Sequence, residues 1–175
     1  MAFSEQTVQE LLAEREIRQV LLRYCRGVDR CDVEAIASCF HSDAVDDHGN
    51  WTADGTTVAQ HIVDLVKPGP ARAMHFLGNV LIEIDGEKAY AESYLLAFRS
   101  FHRDNQPYTR TRALRFVDRF ERRDDVWRIS ERVAVDDWNR VDRVLELQDG
   151  NDKFRFSTKD KSDPVYAIRN GGVAR

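Results

Sequence analysis

The chain contains 175 residues, of which 42% are hydrophobic and 10% aromatic, and it carries a formal net charge of −4 at pH 7. This length and composition predict a single folded domain with one core rather than a disordered chain. Lysines and arginines are spread along the sequence without a basic block, which argues against nucleic acid as a partner. Because no apolar run reaches the ~18 residues of a membrane helix and the N-terminus does not resemble a signal peptide, we expect a cytoplasmic protein without membrane contact.

The cysteines and one acidic cluster are the candidate metal ligands. The cysteines are odd in number and lack C-x-x-C spacing, which is typical of reduced core thiols; they are Cys25, Cys31 and Cys39. Adjacent residues on an extended chain point to opposite sides, so Asp46, Asp47 and His48 would make a poor chelate. The sequence also lacks the G-x-S-x-G, P-loop, G-x-G-x-x-G and H-E-x-x-H motifs. We therefore expect no metal and no cofactor.

The N-terminal part of the chain predicts helices. Apolar residues recur at steps of three and four over residues 4–28, which is the helical period. Asp32 is a suitable N-cap for a second helix, whose buried stripe would extend to Phe40. A short strand is expected within residues 44–53, and a third helix over Thr56–Val66 before a Pro-Gly-Pro break.

From Ala73 the apolar period changes to two, which is typical of β-strands. Asp85-Gly86 between two apolar runs is a hairpin signal. The expected strands are Ala73–Ile84, Ala89–His102, Tyr108–Arg122 and Val126–Trp138. This order predicts an α+β fold, in which the N-terminal helices pack in the concave side of a curved, mainly antiparallel sheet and leave an internal pocket. We expect one domain over residues 1–143, with residues 144–175 as an extension that is draped over the body or partly flexible.

Two polar side chains are poorly suited to their places in these elements. Asp29 follows the last turn of the first helix, where the helix dipole disfavours an anion. His75 lies in an apolar strand. One face of that strand would carry Met74, Phe76, Val80, Ile82 and Ile84, and the other would carry His75, Leu77, Asn79 and Leu81. Each polar residue alone is compatible with a structural role, but a carboxylate that met the imidazole would fix its tautomer and raise the basicity of its free nitrogen.

Arg132 is a third candidate for the site. It lies in the last predicted strand, on the face that also carries Asp136. This face is compatible either with solvent or with a pocket, where a cation would stabilise a developing oxyanion or a leaving anion.

The order of the elements and three phrases resemble the nuclear-transport-factor-2-like superfamily, in its SnoaL-like branch. The phrases are Gly27–Arg30, Met74–Asn79, and Phe120–Trp127 followed by Arg132. Within that branch the chain is similar to the group that contains scytalone dehydratase and hexachlorocyclohexane dehydrochlorinase, over about residues 8–143. The resemblance implies a cone-shaped α+β fold whose pocket serves many different activities.

The resemblance also implies roles for individual residues. His75 would be the base, Asp29 would orient it and Arg132 would assist. Tyr24 stands where the dehydrochlorinase has an assisting lysine; a phenol can donate a hydrogen bond but supplies no cation, which favours dehydratase-like chemistry. The further substrate-binding residues that we expect are Trp51, Leu95, Ala113 and Asp136.

Two functions of different classes remain open. The first is a cofactor-independent lyase or isomerase that removes a proton from a small hydrophobic cyclic substrate with the Asp29–His75 pair. The second is a non-catalytic ligand-binding or accessory protein, similar to the small subunits of ring-hydroxylating oxygenases. A closed pocket in which the pair is hydrogen-bonded favours the enzyme, whereas a pocket filled by side chains or a separated pair favours the accessory protein.

A homo-oligomer, either a dimer or a trimer, is implied by the same resemblance. The outer face of the sheet is expected to be apolar, and bulky side chains there would need cover. The residues assigned to this face are Leu96, Phe98, Leu114 and Phe116.

Overall fold

The computed structural model describes residues 3–67, 72–145 and 153–171. Its helices are α1 Glu5–Arg30, α2 Val33–Ala37, α3 Val58–Val66 and α4 Pro164–Arg169. Its strands are β1 Phe40–Asp47, β2 Thr52–Asp54, β3 Ala73–Asp85, β4 Lys88–Arg103, β5 Gln106–Arg123 and β6 Val126–Arg143. Within the described ranges these strands form one sheet in the order β2-β1-β6-β5-β4-β3, antiparallel except for the β1–β6 pair. The predicted α+β fold, with helices followed by a curved and mainly antiparallel sheet, is confirmed.

The helix α1 supplies much of the helical side of the core. Ser4 caps it by accepting a hydrogen bond from the backbone N–H of Thr7. Its buried residues recur at helical spacing and are Ala13, Ile17, Val20, Leu21, Tyr24, Cys25, Gly27 and Val28. Among the described helices, none is both long and apolar enough to span a membrane. The apolar stripe of α1 faces the sheet, where the helix packs against β3 and β6, as the period of three and four predicted.

Gly27 allows the end of α1 to lie close to α2. A Cβ at this position would lie 2.9 Å from Cγ1 of Ile36 and 3.2 Å from its backbone nitrogen. The same glycine carbonyl accepts a hydrogen bond from the backbone N–H of Asp32, at 2.9 Å. The missing side chain thus has a packing role that outweighs the low helix propensity of glycine, and it fixes the last turn of α1 beneath the sheet.

The segment after α2 differs from its prediction. The second helix ends at Ala37, and Phe40 begins β1 instead of extending the helical stripe. Phe40 is the Cα partner of Ile129 in β6, and both side chains are buried. Helical spacing alone could not reveal this pairing, because the parallel partner lies far away in the sequence.

Two strands contain irregularities that reverse the alternation of their side chains. The pairing of β3 with β4 shifts between Leu77 and Val80, because two residues of β3 face one of β4. The residues that pack against the core after the shift are Val80, Ile82 and Ile84. Met74 and Phe76, before the shift, are 55% and 61% exposed. The prediction that these five residues share a face is therefore wrong. In β6 an extra residue at Ser130 has the same effect.

The assignment of the outer sheet face is partly wrong. Leu114 and Phe116 belong to the buried core, and Phe98 is half-buried. Of the predicted set, Leu96 is the exposed member. The residues that form an apolar row across the outer face, each the Cα partner of the next, are Phe76, Leu96, Ala113 and Trp138. Alternation separates the two faces of a strand but does not say which one is inside.

The described part of the C-terminal extension contacts the junction between α1 and α2. The Asp32 carboxylate caps α2 and also accepts hydrogen bonds from Lys161 Nζ at 2.6 Å and Tyr166 Oη at 2.7 Å. Arg30 forms an ion pair with the buried Asp163, at 3.0 Å. Burial raises the pKa of Asp32, but the hydrogen bonds from Lys161 and Tyr166 outweigh it and leave this pKa below its usual value of 3.8.

Replacing Asp32 with asparagine should loosen residues 158–169 while the helix cap is kept, because Asn and Asp cap equally well. We expect faster amide hydrogen exchange in α4, with Glu34→Gln on the exposed side of α2 as the control without an effect. The wild type should show the same loosening in acid. The pKa of Asp32 is lower in the folded protein than its usual value of 3.8. The stability that ionised Asp32 contributes is therefore present above pH 3.8, and it is lost as the pH falls through the lower pKa of the folded state. Unchanged exchange in the asparagine variant would contradict this anchoring role.

Candidate active site

The last turn of α1 and the start of β3 bring Asp29 and His75 into contact. Oδ1 of Asp29 lies 2.7 Å from Nδ1 of His75. Oδ2 of the same carboxylate accepts a hydrogen bond from the backbone N–H of His75, at 3.1 Å. The two side chains are 11% and 16% exposed. These two hydrogen bonds offset the unfavourable position of an anion at the C-terminal end of a helix.

The Asp29 contact fixes the protonation pattern of the imidazole. An ionised carboxylate can only accept, so Nδ1 carries the proton of the neutral ring and Nε2 keeps its lone pair. Within the described residues Nε2 forms no hydrogen bond. His75 lines a cavity of about 600 Å³, and Nε2 is therefore the nitrogen that is available to a ligand.

The cavity lies between α1, α3 and the inner face of the sheet. Its volume lies within the range of small-molecule sites. Aromatic side chains form part of the wall; they are Tyr24, Trp51, Phe98 and Phe116. Charged side chains from three strands form another part; they are Arg99, Arg110, Arg112 and Asp136. The cavity thus combines apolar surface with cationic groups.

The predicted substrate-binding residues divide into two groups. Tyr24, Trp51 and Asp136 line the cavity with His75, whereas Leu95 and Ala113 do not. Leu95 is 3% exposed and belongs to the core cluster. Ala113 belongs to the row on the outer face of the sheet, where its Cα partners are Leu96 and Trp138. The neighbour of Ala113 on the inner face, Leu114, lines the cavity instead.

Arg132 lies behind the cavity wall rather than in it. Its side chain is fully buried and forms two hydrogen bonds of 2.7 Å with the Asp118 carboxylate. The guanidinium carbon lies 4.3 Å from the centre of the Tyr24 ring and 3.9 Å from that of Phe116. Arg132 therefore supports two wall residues through cation–π contacts without reaching the cavity.

His48, which the sequence indicates only as part of a poor metal chelate, lines the cavity. Its ring stacks on Trp51 at 4.1 Å between centroids, and Nε2 lies 3.1 Å from Oδ1 of Asp46. Asp46 and His48 are two positions apart on β1 and its continuation, so both point to the same side. Within the described residues, no three His, Cys, Asp or Glu side chains form a group that could hold a metal ion. The spacing of two positions between Asp46 and His48 was the sequence signal that could have predicted their contact.

The protonation of two further groups follows from burial. Burial raises the pKa of Cys25 to about 12, so this core thiol stays protonated and unreactive. Burial also raises the pKa of Tyr24 well above its ordinary value of 10.0, with a smaller effect from Asp46. The Tyr24 phenol is therefore a hydrogen-bond donor at neutral pH and not a base.

The model of the SnoaL-like domain matches residues 9–133. The chain belongs to the SnoaL-like domain family. This confirms the resemblance, and the matched range includes Asp29, His75 and Arg132. No curated protein matches the chain significantly.

Solved structures with the same fold include members of the group that the resemblance suggested. A hexachlorocyclohexane dehydrochlorinase, LinA type 2, superposes with a TM-score of 0.72 at 20% identity, and the match covers 83% of this chain and 99% of that one. The LinA type 3 enzyme of Novosphingobium barchaimii LL02 gives 0.70 at 21% identity, with 81% and 97% covered. A candidate scytalone dehydratase of Novosphingobium aromaticivorans DSM 12444 gives 0.69 at 17% identity, with 83% and 97% covered. At these identities the likeness shows the fold.

Proposed function

We propose that this protein is a cofactor-independent lyase or isomerase that acts on a small cyclic substrate. The observation that carries the proposal is the 2.7 Å contact between Asp29 and the His75 imidazole at the wall of a cavity of about 600 Å³. A base with a free nitrogen, a carboxylate that orients it and room for a ring-sized ligand together suit abstraction of a proton from carbon.

The proposed reaction begins at Nε2 of His75. This nitrogen takes a proton from a carbon next to a carbonyl or a leaving group. In an elimination, the electron pair of the C–H bond forms the new double bond, and the leaving group departs with its bonding pair. The proton then resides on the imidazolium, whose positive charge is stabilised by Asp29.

The other residues have supporting roles in this proposal. The Tyr24 phenol stays protonated and donates a hydrogen bond to the oxygen that becomes negative. Trp51 and Asp136 contact the substrate from the wall. Arg132 is a positioning residue that holds the Tyr24 ring, because its side chain is fully buried and its guanidinium binds the Asp118 carboxylate through Nε and Nη2.

The accessory function receives less support from the geometry. That alternative requires a cavity filled by side chains or a separated pair. The Asp29–His75 contact and the volume of the cavity favour a site that binds and transforms a ligand.

We also propose that the chain forms a homo-oligomer through the apolar row on the outer sheet face. Phe76, Leu96 and Trp138 of this row are 61%, 36% and 49% exposed. A contiguous apolar surface of this kind is typical of protein–protein contacts.

Deuterium exchange at the α-carbons of cyclic ketones tests the proposed reaction without knowledge of the natural substrate. Cyclohexanone, 2-cyclohexenone and 2-tetralone would be incubated with the protein in D₂O and followed by proton NMR. We expect at least one ketone to exchange much faster than with free imidazole at the same concentration, because a bound substrate is held next to the base. Exchange no faster than with imidazole for all three ketones would contradict the proposal.

A further inference from the structure

Two arginines face each other across neighbouring strands at the cavity wall. Arg99 of β4 and Arg110 of β5 are Cα partners, and both line the cavity. Directly opposed residues of an antiparallel pair have Cβ atoms about 5 Å apart, and like charges at this distance destabilise a sheet. A pair of this kind in a protein with a net charge of −4 calls for a physical reason.

Neither arginine is neutralised within the part of the chain that the structure describes. Arg112, their neighbour on the cavity wall, is held by Asp136 through contacts of 3.0 and 2.8 Å. Arg99, in contrast, donates from Nη2 to the backbone carbonyl of Leu65 at 3.0 Å, and its buried Nε has no hydrogen-bond partner. Arg110 is exposed and forms no ion pair in the described ranges.

A third cation increases the positive potential around Arg99. Lys159 of the C-terminal extension donates to the carbonyls of Val66 and Lys67 at the end of α3. Burial and then the charge of Arg99 lower the pKa of Lys159, while Cys31 acts in the opposite direction. Among the described residues no carboxylate pairs with Arg99 or Arg110 at this wall, and the guanidinium fork matches the two oxygens of a carboxylate.

The position of the arginine pair relative to His75 sets the size of the ligand. His75 is the Cα partner of Ala97, and Arg99 is the next residue along β4 that faces the same side. Two residues along a strand span about 7 Å, which is close to the width of a six-membered ring with one substituent. The aromatic side chains of Tyr24, Trp51 and Phe116 line the same space.

We propose that the ligand of this cavity is a cyclic, largely apolar carboxylic acid, whose carboxylate binds between Arg99 and Arg110 while its ring lies against the aromatic wall beside His75. This inference rests on the same site as the proposed function and narrows its substrate class. It concerns binding, so it does not depend on any turnover.

Calorimetric binding of matched probes tests the inference. The probes are 3-oxocyclohexane-1-carboxylate, its methyl ester and cyclohexyl phosphate. We expect the acid to bind about tenfold or more tightly than the ester, because the charged hydrogen bonds exist only for the acid. Arg110→Gln and Arg99→Gln should each weaken binding of the acid about tenfold and leave the ester unchanged. Arg103→Gln replaces an exposed arginine at the end of β4, the strand that carries Arg99. It is the matched control and should leave the binding of both the acid and the ester unchanged.

Three results would overturn the carboxylate site. They are failure of the acid to bind at millimolar concentration, equal binding of acid and ester, and wild-type binding of the acid by both glutamine variants. Equal or tighter binding of cyclohexyl phosphate would overturn the assignment to a carboxylate. Because Arg99 also bonds to Leu65, the exposed Arg110 provides the variant that does not depend on the packing of α3.

The same titration with a His75→Ala variant separates this inference from the proposed reaction. If the His75→Ala variant binds the acid as the wild type does, and the wild type shows no proton exchange with any ketone, the proposed reaction is contradicted and the anion site is supported. Proton exchange of neutral ketones without preference for the acid would support the reaction and overturn the anion site.

Discussion

Replacing His75 with alanine should lower the rate of α-proton exchange by about 10²–10⁴-fold, which is the usual contribution of a positioned general base. The backbone N–H of His75, which alanine retains, still donates to the Asp29 carboxylate at the end of α1, so the fold should survive. The measurement is the exchange rate of the ketone that the wild type accepts, with circular dichroism to follow folding. His102→Ala, an exposed histidine on β4, is the control that should keep the wild-type rate.

Asp29→Asn tests the same site from the other side of the hydrogen bond. An amide can donate to Nδ1, which would move the imidazole proton to Nε2 and remove the lone pair that acts as the base. We expect a loss similar to that of the His75 variant, with nearly unchanged substrate binding. If the two variants unfold instead, the pair is structural; if His75→Ala keeps the wild-type rate, the base lies elsewhere in the cavity, with His48 as the next residue to replace.

The Asp29–His75 contact could be predicted because both residues are chemically unsuited to their local surroundings. An anion at the C-terminal end of a helix and an imidazole in an apolar strand each lack a local explanation. The helical period of α1 and the alternation of the later strands then placed one residue on the helical layer and the other on the sheet. The pairing itself came from chemistry and from the resemblance, since periodicity contains no distance between separate elements.

The position of Arg132 could not be predicted in the same way. Regular alternation over β6 puts Arg132 and Ile129 on opposite faces, but the extra residue at Ser130 turns both of them inward. A bulge has no reliable signature in a strand that lacks glycine. The pairing of β1 with β6 was equally hidden, because a parallel contact between distant segments leaves no local pattern. These two features together place Arg132 behind Tyr24 rather than in the cavity.

Replacing Arg132 with methionine should destabilise the fold by about 3–5 kcal/mol, the usual cost of leaving a buried charge without its partner. Arg132 is the Cα partner of Asp118 on one side and of Asp46 on the other, and all three side chains are buried. Methionine keeps most of the apolar volume but leaves two carboxylates facing each other across the strand. Urea unfolding measures the loss, and Arg140→Met on the same strand is the control, because its pair with Asp142 is exposed and contributes about 0–1 kcal/mol.

The pH dependence of the Arg132→Met variant separates lost charge pairing from lost packing. Burial raises the pKa of Asp118 above its ordinary value of 3.8, and Arg132 opposes this rise. Without the guanidinium the folded-state pKa must rise further, so the folded protein binds a proton that the unfolded chain releases. A group whose pKa is raised in the folded state contributes stability at a pH below its unfolded-state pKa. That contribution is lost as the pH rises through its folded-state pKa. The variant should therefore be closer to the wild type at pH 5 than at pH 7.

The double variant Arg132→Met, Asp118→Leu completes this test. An apolar pair of similar volume removes one of the two buried carboxylates that face position 132 and leaves Asp46 beside His48. Part of the lost stability should therefore return, as is usual when both partners of a buried ion pair are replaced. A double variant no more stable than Arg132→Met would show that packing against Tyr24 and Phe116 dominates. In either case the Tyr24 ring loses its cation–π contact, and the proposed positioning role predicts slower exchange in both folded variants than in wild type.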